Sequence, residues 1–96
     1  MKLKVSEKAV EWFKEEFDVD SGDYVQIFSK IYGGIPTIFP SYFLGLEVGK
    51  DGDIIYQDKH DGIVFYINER NAWLLENHRM EVDVEDDDIQ FHFIED

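Results

Sequence analysis

The sequence predicts one α+β domain, mainly β, covering residues 1–96. Three observations carry that prediction. From residue 24 onward, apolar runs of strand length recur between clusters of Gly, Pro, Asn and Asp. Only one long stretch, near the N-terminus, spaces its apolar residues as a helix does. The composition, 44% hydrophobic and 16% aromatic, supplies one core in a chain of 96 residues despite a net charge of −13.

Taken in order, residues 2–5 alternate weakly and form a short lead-in strand. Ser6 is placed as a helix N-cap, its hydroxyl accepting from a free amide of the first turn, with Glu7 favouring the positive end. Val5 and Val10 staple that cap. Ala9, Val10, Phe13 and Phe17 share one face while Lys8, Glu11, Lys14 and Glu15 lie off it, so the helix covers a core. Trp12 sits at the rim. The helix ends near Phe17 or Asp18, where Asp, Ser and Gly supply turn chemistry.

Residues 24–32 form the first clear strand, with Val25, Ile27, Ser29 and Ile31 on one face and Tyr24, Gln26, Phe28 and Lys30 on the other. Gly33-Gly34 releases the backbone, and Pro36 and Pro40 keep the next residues out of a central ladder. The loop 35–41 carries Ile35, Ile38 and Phe39, so it either folds onto the core or is offered to a partner. Residues 42–48 resume a strand, with Gly45 suggesting a bulge. By composition 50–53 is a hairpin turn and 58–62 another, bracketing a short strand at 54–57. Residues 63–67 are a continuous apolar strand. Asn68 caps a short helix from 69 to about 77. Met80–Val84 and Ile89–Phe93 alternate strictly around the acidic turn 85–88 and pair as an antiparallel hairpin.

The charge balance, 22 acidic against 9 basic residues with no basic run, opposes a phosphate backbone, so nucleic acid is not expected as a partner. With no cysteine, the chain has no disulfide, thiolate nucleophile or Cys-ligated metal. No signal-type segment and no apolar run of about 18 residues is present, which gives a cytoplasmic protein with no membrane partner as the expectation. Of the three histidines, His60 falls in an acidic turn, His92 alternates out between Phe91 and Phe93, and His78 comes after the short helix; none has a metal spacing. Asp51-Gly52-Asp53 lacks the remaining ligands of a calcium loop. No serine lies in a nucleophile elbow and no carboxylate pair is singled out. The residues therefore name no catalytic group, no metal ligand and no cofactor, and an enzyme is not expected.

Several short motifs together resemble the HesB/IscA-like domain of iron-sulfur cluster biosynthesis. Leu3–Val10 is similar to that family's strand, cap and helix, and 25–34 to its strand ending in a glycine pair. Phe43-Leu44-Gly45-Leu46, the segment 63–75, and Val82-Asp83 with Phe91–Phe93 look like its later elements. The resemblance implies a β-sandwich of short mixed and antiparallel strands with one N-terminal helix and one short helix. It also implies a place near cluster biogenesis, but Ile35 stands where the family's first cysteine would, and the chain reaches Asp96 without the tail that carries the other two. The implied role is thus that of a cysteine-less, non-enzymatic interaction module.

The residues expected to make that interaction are Tyr32, Gly33, Gly34, Ile35, Ile38, Phe39 and Tyr42. The partner is an unidentified protein or a second copy of the chain, a homodimer. The alternative expectation is a metal (iron) or small-ligand binder using His60, His78 or His92 with nearby carboxylates.

Overall fold

Ser6 starts the structure as its sequence predicts. In a computed structural model that describes all 96 residues, Ser6 has extended backbone and its Oγ accepts from the Ala9 amide at 3.1 Å. The same hydroxyl donates to Asp83 at 2.6 Å, so one side chain caps the helix and ties it to a distant strand. The helix, α1 (Glu7–Phe17), comes directly after the short strand β1 (Leu3–Val5) and its cap, and ends on Asp18 in the left-handed conformation. Ala9, Val10 and Phe13 are its buried side chains.

The next strands are β2 (Tyr24–Lys30), β3 (Ile35–Pro36), β4 (Phe43–Val48), β5 (Ile54–His60) and β6 (Ile63–Asn68). A 3₁₀ turn (Ala72–Leu75) then leads to β7 (His78–Glu85) and β8 (Asp88–Glu95). They make two sheets, one in the order β1-β7-β8 and one in the order β3-β4-β2-β6-β5. Both mix parallel and antiparallel pairs, since β1 runs parallel to β7 and β2 parallel to β6. The fold is α+β and mainly β. Leu3, Val5, Met80 and Val82 from the first sheet, Val25, Ile27, Leu44, Phe65 and Ile67 from the second, and Phe13 of α1 share one buried cluster. The core therefore lies between the sheets, with α1 closing it.

Several expectations change. The strand expected at 24–32 stops at Lys30, because the chain must cross the start of β4 to lay β3 on its far side. Gly34 makes that crossing with φ 136°, where a Cβ would stand 2.6 Å from the Leu44 carbonyl oxygen. The bulge expected at Gly45 is absent: β2 and β4 pair without a break, and the Phe28 ring lies over the glycine, 2.3 Å from where a Cβ would be. The irregularity falls instead between Ile54 and Tyr56.

Residues 50–53 are not a hairpin turn, since β4 and β5 are separated in the sheet by β2 and β6. The segment 49–53 crosses that face instead, held by Tyr66, whose hydroxyl donates to Gly49 O at 2.6 Å and accepts from Asp51 N at 2.8 Å. That covering lies over Tyr66 and Asn68, while Ile63, Phe65 and Ile67 are buried in the core on the other face of β6, so all six of its residues are buried. The short helix expected from 69 to 77 is only the 3₁₀ turn. Asn68 cannot cap it, because its amide donates to Asp51 O at 2.9 Å and its carbonyl oxygen accepts from Asn71 at 2.8 Å. The 58–62 turn is real but shorter, with β5 running on to His60.

Candidate functional site

The ends of β2, β3 and β4 meet at one corner of the larger sheet. Lys30 pairs with Phe43, and Phe43 pairs with Pro36, so residues 31–34 and 37–42 project together past the paired region. Thr37 fixes the second of these loops: its hydroxyl meets the carbonyl oxygens of Phe39 and Tyr42 at 3.1 and 2.8 Å and the Phe39 amide at 3.0 Å. A loop held this way presents its side chains in a defined arrangement, which lowers the ordering cost of binding.

The expected interaction residues divide into two sets. Tyr32, Ile38 and Tyr42 stand out, 85%, 52% and 40% exposed, and Gly33 and Gly34 are also on the surface. Ile35 and Phe39 are half-buried and pack against the core cluster, so they support the loop. The choice between a loop folded onto the core and one offered outward is resolved residue by residue.

Four contributors are not visible in the sequence. Ile31, expected on one strand face with Val25 and Ile27, is 56% exposed beside Tyr32. The Trp73 ring lies edge-on to Phe39 at 5.1 Å and to Tyr42 at 4.9 Å. Phe93 and His78 stand 5.7 and 6.0 Å from Phe39. Trp73 comes from the 3₁₀ turn and the other two from β7 and β8, so no local pattern joins them to the loop. The Ala-Trp-Leu-Leu run is the one available signal: Leu74 and Leu75 are buried, leaving Trp73 half-exposed. Phe39, Trp73, His78 and Phe93 thus form one aromatic cluster on which Tyr42 rests.

The histidines do not converge. His60 Nε2 is 2.7 Å from the buried carboxylate of Asp58, His92 Nε2 is 3.2 Å from Glu85, and His78 packs among rings. No three His, Asp or Glu side chains gather as a metal-binding group. No helix is long and apolar enough to cross a membrane.

Fold and surface together define a small acidic α+β protein with exposed apolar side chains on the segments 31–34 and 37–42. No family model matches the chain. It is 33% identical over 87 residues to the pyruvate dehydrogenase inhibitor of Bacillus subtilis, covering 91% of this chain and 90% of that protein. It is also 35% identical over 88 residues to an uncharacterised protein of Staphylococcus saprophyticus, with 90% of each covered. A third relative, from Staphylococcus haemolyticus, is 31% identical over 91 residues, covering 92% of this chain and 91% of its own length. The chain belongs to this family of small bacterial proteins.

These relatives overturn the resemblance to the HesB/IscA-like domain. No such family model matches, and neither the inhibitor nor the staphylococcal proteins carry a name that points to iron-sulfur biogenesis. The motifs behind the resemblance, a capped helix, a glycine pair and an aromatic hairpin, answer local folding needs that many domains share. The relative from B. subtilis is named as an inhibitor, not an enzyme, in agreement with the non-enzymatic reading of the sequence.

Proposed function

We propose that this chain acts by binding an enzyme and restraining it, with a platform of Ile31, Tyr32, Ile38 and Tyr42, the last resting on Trp73, as the contact. The observation that carries the reading is the exposure of these apolar side chains, Ile38 and Tyr42 among them on a loop that Thr37 and Phe39 hold in place. The name of the B. subtilis relative, a pyruvate dehydrogenase inhibitor, supports pyruvate dehydrogenase as the enzyme class. Apolar anchors of this kind dominate binding energy when a partner excludes water from them.

The test mixes the purified chain with bacterial pyruvate dehydrogenase and measures pyruvate-dependent NADH formation alongside co-elution on a sizing column. Inhibition and a shared peak are expected, both weakened about tenfold or more by Ile38→Asp with Tyr42→Ala. Absence of inhibition and of a shared peak sinks the enzyme class; inhibition undiminished in a folded variant sinks the platform.

A further inference from the structure

We propose that the groove between β3 and β8 accepts an extended, basic and apolar segment of a partner protein as an added strand. The site adjoins the platform at Gly34 and Ile35 but uses none of its exposed side chains and stands on different observations. Strand β8 is the last of its sheet and pairs only with β7. The two-residue turn Asp86-Asp87, both residues at positive φ, sets the phase of that pairing. Glu85↔Asp88, Asp83↔Gln90 and Glu81↔His92 are then the hydrogen-bonded pairs. The amide of Asp96 donating to Asn77 O at 3.1 Å keeps the same phase. Consequently the amides and carbonyls of Ile89, Phe91 and Phe93 point away from β7, and no backbone bond from outside the ladder reaches them.

Edge strands are ordinarily blunted by Lys, Pro or a bulge. β8, DIQFHFIE, has neither residue and pairs with β7 without a register shift. Beside it lies an open groove of about 520 Å³ lined by Asp88, Ile89, Gln90 and Phe91 of β8, by Gly34, Ile35 and Pro36, and by Trp12. A strand laid there would hydrogen-bond β8 and bury alternate side chains against those residues, as strand-addition complexes do.

Charge selects the occupant. Trp12 also borders an adjoining cleft lined by Glu11, Glu15, Glu16, Asp86 and Asp87, with Lys8 its one basic residue. A segment alternating apolar and basic residues matches both the groove and its acidic margin. A second copy does not: antiparallel pairing of β8 with itself about Phe91 would set Asp87 opposite Glu95 at both ends, in a chain of charge −13.

The probe is a synthetic peptide of alternating lysine and valine, about nine residues long, added to the ¹⁵N-labelled full chain. Expected are shifts at the Trp12 indole and hydrogen exchange slowed about tenfold or more at the Ile89 and Phe91 amides. Binding should weaken on adding salt, with glutamate in place of the peptide's lysines, with Ile89→Pro, and when alternate peptide nitrogens are methylated. The methylated peptide leaves the protein unaltered, so it decides the matter if Ile89→Pro fails to fold. Unchanged exchange at these amides, equal binding of the methylated peptide, or protection that rises with protein concentration alone overturns the proposal. The readout is confined to β8 and a synthetic ligand, so its failure leaves enzyme inhibition by the platform standing, and the reverse also holds.

Discussion

Asp58 shows what a single residue contributes that sequence cannot announce. Its place between Gln57 and Lys59 reads as part of an exposed turn, yet it is 8% exposed, accepting from the Val5 amide at 2.8 Å and facing His60 Nε2 at 2.7 Å. Val5 belongs to one sheet and Asp58 to the other, so the carboxylate pins the two layers together. Asp58→Ala leaves a buried amide without an acceptor and should lower unfolding free energy by about 1–3 kcal/mol. Asp58→Asn keeps an acceptor oxygen and should cost less. Urea unfolding of the two variants checks the order, and equal losses would mean that charge rather than the Val5 bond matters. Ser6, in contrast, is legible because a cap is a local device whose partner lies three residues away.

Among the elements, legibility depends on how local the determinants are. The β7–β8 hairpin is legible because strict alternation on both sides of the acidic stretch 85–88 marks strand and face, although the strands run into that stretch and leave only Asp86 and Asp87 in the turn. The segment 69–77 reads as a helix and is not one, because the decisive contacts of Asn68 and Asn71 are with Asp51 and with Ser29, residues far back in the chain. The platform loop is legible as an apolar loop, but not its aromatic base, which arrives from the 3₁₀ turn, β7 and β8. The hairpin also carries an element-level prediction. Asp86 and Asp87 have φ of 51° and 65°, a turn that Asn-Gly favours over two like charges. Asp86→Asn with Asp87→Gly should therefore stabilise the domain by up to about 1 kcal/mol, read from the urea midpoint with an unchanged m-value. A loss of stability would show that the two carboxylates are not in repulsion there.

At the level of the whole molecule, charge sets two opposing dependences. The net charge of −13 makes the folded state repel itself at neutral pH, so added salt should raise the melting temperature. Particular carboxylates act the other way. The Ser6 hydroxyl, then the Val84 amide, hold Asp83 below the ordinary aspartate value of 3.8. The hydrogen bond and charge of Lys14 do the same for Asp61, and those of Lys2 for Asp96. A depressed folded-state value means that the unfolded chain binds protons first as acid is added. The stabilisation is complete above 3.8 and is lost as pH falls through the lower folded-state values. Melting curves taken from neutral pH downward should thus hold or rise while self-repulsion is relieved, then drop below pH 3.8. Asp83→Asn should flatten that final drop, since its carboxylate no longer has a proton to gain, and should cost some stability at neutral pH where Ser6 loses a charged acceptor. A melting temperature that keeps rising to the most acidic point would show that these carboxylates do not couple helix, turn and termini to the fold. A salt effect that persists unchanged in Asp83→Asn would show that self-repulsion is spread over the surface and does not centre on the helix cap.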